Sequence, residues 1–154
     1  MSEHRAGIAW KLSGPSFLKG QYSREHTWTF DGVTVPASPS PAVVPAPWSN
    51  PKHVDPEGAF VASIASCHML TYLFVASKHG FEIESYEDAA VGVMTKNERG
   101  VPWVSAVTLN PRIVYGGARR PSRDDEARLH HLAHEQCFIA NSVKTHITVA
   151  GFET

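Results

Sequence analysis

Two cysteines, Cys67 and Cys137, are the only thiols in the 154-residue chain. Cys67 lies in Ala65-Ser66-Cys67-His68-Met69, and Cys137 closes a segment that carries His130, His131 and His134. Steps of three and four residues put His130, His134, Cys137 and Asn141 on one face of a helix. Three chemistries fit such a face. Free cysteine is most often a small buried apolar residue. Imidazoles and a thiolate at this spacing could instead bind zinc or another transition metal, which makes His130, His134 and Cys137 a candidate ligand set. A structural zinc site usually shows two close Cys/His pairs, however, and the adjacent Cys67 and His68 would point about 100° apart on a helix. The third chemistry is a thiol active site with a polar floor, for which a face of this polarity is suited.

The elements that must position these residues are legible in the pattern. Ile8, Trp10 and Leu12 alternate as in a strand; Trp28 and Phe30 precede Asp31-Gly32, a hairpin signal, with Val33–Val35 as the return strand. Seven of the eleven prolines fall between Pro36 and Pro56, which predicts a stiff, extended loop over 36–56. Asp55-Pro56-Glu57 then starts a helix, with a capping aspartate, proline in the first turn and an acid at the positive end of the dipole. It should run to about Lys78, apolar nearly all round, as the central buried helix. A period-2 line from Ile83 to Val93 and a second long strand from Val107 to Tyr115 follow, separated by a turn at Asn97–Gly100. Ser122 with Asp125 resembles a capping box, opening a second helix that should reach roughly Asn141. Val143–Val149 alternates as a final strand. Antiparallel sheet with two helices predicts an α+β fold in a single domain over 1–154.

Composition narrows the classes. A net charge of -1 gives no nucleic-acid surface. The stretch Ala59–Ala76 is interrupted by Ser63, Ser66, His68 and Thr71, too polar for a membrane span. Met1-Ser2-Glu3-His4-Arg5 lacks a signal-peptide core. The expectation is a cytoplasmic protein, with neither nucleic acid nor membrane as partner, in a reducing compartment where two cysteines are reactive, ligating or buried.

Asp55-Pro56-Glu57, then Cys67, then Ala133-His134-Glu135-Gln136-Cys137-Phe138-Ile139-Ala140-Asn141, resembles the family of osmotically inducible protein C and the organic hydroperoxide resistance proteins. The resemblance covers about Ile8 to Val149. It implies an intertwined homodimer, a peroxidatic Cys67, a resolving Cys137 and an arginine–glutamate pair serving Cys67. Glu57 matches the family glutamate. Branches of the family place the arginine near the first strands or in the loop before the glutamate; no arginine occurs between Arg24 and Arg99, so Arg24 is the candidate. It further implies a hydroperoxide substrate, no cofactor and an external dithiol reductant, often a lipoyl group. The family commonly has proline after the second cysteine and an aromatic after the first; here Phe138 and His68 stand there. His68 and His134 are the candidate substrate contacts.

The expected chemistry is thiolate attack on a peroxide oxygen, a sulfenic acid at Cys67, and its condensation with Cys137. Arginine would favour the thiolate and hold the peroxide, with Glu57 orienting the guanidinium. Ten residues of helix separate Glu57 from Cys67 by about 15 Å, so the glutamate serving Cys67 must come from a second subunit. The rival expectations are a metal-binding protein using His130, His134 and Cys137, and a non-catalytic small-molecule binding module on the same scaffold.

Overall fold

The computed structural model describes residues 1–152 of the chain. The chain divides into two compact units, Met1–Ala59 and Phe60–Thr154. The first holds few apolar side chains able to bury one another: Ile8, Trp10, Leu12, Phe17 and Leu18 are all exposed.

In the first unit, β1 (Gly7–Ala9), β2 (His26–Phe30) and β3 (Val33–Ala37) form an antiparallel sheet in that order. β1 is shorter than the alternation of Ile8, Trp10 and Leu12 predicts. The Asp31-Gly32 turn closes β2 onto β3, with Gly32 at φ +77°, where a side chain is disfavoured. Residues 38–55 carry no helix or strand, in keeping with their five prolines, while Pro36 falls in β3 and Pro56 opens the next helix; the loop is held by an isolated bridge of Ala37 to Val54 and by Asn50 N–H donating to Ser38 Oγ at 2.8 Å.

Helix α1 runs Pro56–Lys78, and Asp55 Oδ1 accepts from the Gly58 N–H at 2.8 Å, the predicted cap. By length and composition α1 could cross a membrane. Only one stripe of it is buried in this chain: Ile64, His68, Tyr72, Val75 and Ala76, at helical spacing. Leu70 and Phe74 remain 60% and 57% exposed.

The second unit is built on one long hairpin, and here the structure corrects the sequence. The line Ile83–Val93 is two strands, β4 (Glu82–Asp88) and β5 (Val91–Lys96); the line Val107–Tyr115 is likewise β6 (Pro102–Leu109) and β7 (Pro111–Gly116). Asp88 opposes Pro111 and Val91 opposes Thr108, so the register carries through the break. Asn110 makes the break: its N–H donates to Asp88 Oδ1 at 2.7 Å and its Nδ2 to the Ala89 carbonyl at 3.0 Å, replacing ladder bonds with side-chain bonds. The two halves thereby face two cores. β4 and β7 pack with Tyr72, Val75, Phe81, Leu129 and Ala133; β6 and β8 (His146–Val149) pack with Ile64 through Val107, Leu109, Ile147 and Val149, and β5 pairs with β6 at the edge of that sheet. A Cβ on Gly92 would strike Val61, so glycine lets β5 approach α1. β8 begins three residues later than predicted and pairs parallel with β6, so the sheets are mixed, not wholly antiparallel.

Helix α2 spans Arg123–Gln136. Both halves of the Ser122–Asp125 capping box form, with Asp standing where Glu is usual. It stops five residues short of the predicted end at Asn141. Cys137 is its C-cap, in an extended conformation with ψ 116°, and a short 3-10 turn, Ala140–Ser142, follows.

Candidate dithiol site

The sulfurs of Cys67 and Cys137, seventy residues apart in sequence, lie 2.7 Å apart as free thiols. Each comes from a different local structure. Cys67 is mid-helix on α1 and half-buried, within reach of a solute. Its carbonyl accepts from Thr71 Oγ1 at 2.8 Å. Cys137 is buried at the end of α2, with its Sγ against Cys67 Sγ. The residues after Cys137 turn their backbone onto the pair: Ile139 N–H faces Cys67 Sγ at 3.5 Å, and Ala140 N–H faces Cys137 Sγ at 3.4 Å.

The electrostatics separate the two sulfurs. Burial, and next the hydrogen bond to Cys67, push the Cys137 thiol up to about 11, outweighing the Ala140 and Ile139 amides. Near neutral pH Cys137 therefore keeps its proton.

The histidines fall into two environments. His68 points inward, 1% exposed, with Nε2 at 3.1 Å from Nδ1 of the equally buried His130. The ring planes differ by 10° and the centroids are 5.4 Å apart, which is the N···N distance plus a ring radius at each end. The rings thus meet edge to edge in one plane through an N–H···N bond. Burial is the main cause holding His68 down to about 4 and His130 to about 3, so both are neutral at pH 7. Tyr72 lies against His130 with ring centroids 4.4 Å apart, and its hydroxyl meets that of Tyr115 at 2.7 Å. His134 is half-buried, with Nδ1 lacking a hydrogen-bond partner among the described residues, and burial lowers its pKa.

His130, His134 and Cys137 do not form a ligand set. Among the described residues no three His, Cys, Asp or Glu side chains gather as a metal cluster would. The physical reason is the early end of α2: Cys137 leaves the helical face, and His130 spends Nδ1 on His68.

Within the first unit, Arg24 lies just before β2. Its guanidinium sits 4.0 Å over the Tyr22 ring, and Nη1 donates to the carbonyls of Gly20 and Tyr22 at 3.3 and 3.0 Å. It lines a cleft of about 450 Å³ with Ile8, Trp10, Phe17, Tyr22, His26 and Pro39. Glu57, in the first turn of α1, has a buried Oε2 with no hydrogen-bond partner among the described residues. In the second unit, Leu70, Thr71, Phe74, Gln136 and Phe138 line an apolar cleft of about 550 Å³, with Phe138, which follows Cys137, 83% exposed.

Two features escaped the sequence reading. The Ile139 and Ala140 amides carry no side-chain signal. The His68–His130 pair joins residues on different helices, and only the polarity of both inside apolar stripes hints at it.

An α+β scaffold that brings two free thiols into contact, one partly buried and one fully buried, defines a dithiol protein. The family model described as OsmC-like protein matches residues 49–150. The chain belongs to the OsmC-like protein family. A solved OsmC-like protein of unknown function from Vibrio cholerae is 49% identical, covering 97% of this chain and 98% of its own, with a TM-score of 0.93. An organic hydroperoxide resistance protein from Legionella pneumophila shares the fold at 16% identity, with coverages of 97% and 98% and a TM-score of 0.67. Another from Elizabethkingia anophelis, with thiocyanate bound, is also 16% identical, with coverages of 96% and 96% and a TM-score of 0.67. No functionally curated protein matches the sequence.

Proposed function

We propose that the chain is a cysteine-based peroxidase that reduces organic hydroperoxides through Cys67 and Cys137. The observation that carries the reading is the 2.7 Å approach of a half-buried Cys67 sulfur to a buried Cys137 that keeps its proton. Family membership supports a redox role, and the apolar cleft beside Cys137 suits an alkyl or aryl tail.

The Cys67 thiolate attacks the outer oxygen of the hydroperoxide. The O–O bond breaks, the alcohol leaves after taking a proton, and Cys67 becomes a sulfenic acid. Cys137 then attacks that sulfur; the S–O bond breaks, and its hydroxyl leaves as water with the Cys137 proton. An external dithiol reduces the disulfide by exchange. The Ile139 N–H, 3.5 Å from Cys67 Sγ, is placed to donate to that sulfur.

Glu57 would serve this chemistry from a second copy of the chain, orienting Arg24 as its guanidinium partner. Three observations support that reading. α1 is continuous, so Glu57 stays about 15 Å along the axis from its own Cys67. The Leu70–Phe74 face of α1 is apolar and open. The Glu57 carboxylate oxygen is buried and unpaired, which suits a guanidinium partner.

The test measures hydroperoxide consumption with a dithiol present. Cys67→Ser abolishes turnover, and Cys137→Ser allows one turnover that leaves Cys67 as its sulfenic acid by mass. Unchanged consumption by Cys67→Ser, or oxidation centred on Cys137, refutes the assignment.

A further inference from the structure

We infer that Asn141 is a positioning residue of the dithiol site: its side-chain amide fixes the turn after α2, so that the Cys137 thiol and the Ile139 N–H converge on Cys67 Sγ. The inference builds on the proposed use of the two thiols, but its geometry stands apart from any substrate.

A helix end leaves its last carbonyls without partners. The common remedy is a glycine in the left-handed conformation just past the end. Here Cys137-Phe138-Ile139 follows Gln136, so that cap is absent. Asn141 replaces it. One Nδ2 hydrogen goes to the Glu135 carbonyl and the other to the Cys137 carbonyl, both at 2.9 Å. The Asn141 backbone N–H adds a bond to the Cys137 carbonyl at 3.1 Å. These bonds tie the end of α2 to the 3-10 turn Ala140–Ser142. They hold Cys137 extended at ψ 116° instead of helical, which takes its sulfur off the α2 face. The same turn directs the Ile139 and Ala140 amides at the two sulfurs.

Asn141 touches neither sulfur, so it acts through Cys137. Disulfide formation removes water from the Cys67 sulfenic acid and the Cys137 thiol. Its rate and equilibrium follow the share of time that Cys137 Sγ spends at Cys67, an effective concentration. Without the amide, the Glu135 carbonyl turns to water and the Cys137 carbonyl keeps only the Asn141 backbone N–H, so Cys137 samples conformations that carry its sulfur away.

The experiment needs no peroxide. The full-length chain is equilibrated with reduced and oxidised dithiothreitol, and the disulfide fraction is read by mass after alkylation. Asn141→Ala is expected to shift the equilibrium toward the dithiol at least tenfold. Asn141→Ser keeps one donor, is expected in between, and decides the matter should Asn141→Ala not fold. Asn110→Ala is the matched control: it also loses a side-chain amide that bonds two carbonyls, those of Ala89 and Thr108, away from the thiols. It should stay within twofold of wild type, because loss of global stability alone leaves exchange in the folded state unchanged. Wild-type behaviour of the folded Asn141 variant that decides the test, or an equal shift in Asn110→Ala, overturns the inference. If the Asn141 shift is found but wild type consumes no hydroperoxide, the peroxidase reading falls and the positioning role stands.

Discussion

Acid should destabilise this protein steeply through the buried His68–His130 pair. Both imidazoles are 1% exposed, and burial holds His68 at about 4 and His130 at about 3. In the unfolded chain each would titrate near 6.5, so the unfolded state binds more protons below that pH. The folded pKa lies below the unfolded one; stability is therefore complete above pH 6.5 and falls as pH drops toward 4. At pH 5 each histidine has forfeited about 1.5 pH units, or about 2 kcal/mol at about 1.4 kcal/mol per unit. The pair then costs about 4 kcal/mol, a large share of the 5–15 kcal/mol that holds a typical domain together. His134, half-buried and also lowered, acts in the same direction. The assay is equilibrium urea unfolding at pH 8, 7, 6 and 5. Two protons should give a slope of about 2–3 kcal/mol per pH unit near pH 5. The double variant His68→Asn/His130→Asn should lose most of that slope whatever its stability at pH 8. An equal slope in both proteins would refute the account, since the protons would then bind elsewhere.

Cys137, buried and pushed up to about 11, should react with iodoacetamide at pH 8 more slowly than the more accessible Cys67, read by peptide mass; equal labelling would contradict the burial and raised pKa of Cys137. Arg24→Ala should slow Cys67 alkylation near neutral pH while Arg5→Ala does not, and identical rates would remove Arg24 from the site. Co-refolding Glu57→Ala with Cys67→Ser should restore about a quarter of wild-type turnover, because half the dimers under random pairing hold one intact site; no recovery in proven heterodimers would put both residues in one chain's site. Ser122→Ala breaks the capping box of α2 and should cost about 1 kcal/mol in thermal or urea unfolding.

What the sequence determined by itself is local. α1 was legible at both ends because Asp55, Pro56 and Glu57 are start signals whose action needs only neighbouring backbone, and His79-Gly80 is a stop. The β2–β3 hairpin and the proline-rich loop follow for the same reason. The two cysteines stood out by residue type, and the quoted motifs carried the family. Tertiary structure decided the rest. The two long strands break into four because Asn110 reaches across the hairpin to Asp88 and Ala89, a contact that periodicity within one strand cannot register. α2 ends at Gln136 because Asn141 folds back onto its last carbonyls, so one residue counted on a helical face instead terminates the helix. The parallel pairing of β8 with β6 is fixed by the core it closes. His68 and Cys67 are neighbours in sequence, yet 100° of helical turn sends one ring inward to His130 and leaves the sulfur partly buried beside Cys137. Which of two adjacent side chains meets a core and which meets a partner thiol depends on what packs against each face of α1, and that is settled only when the sheets and α2 are in place.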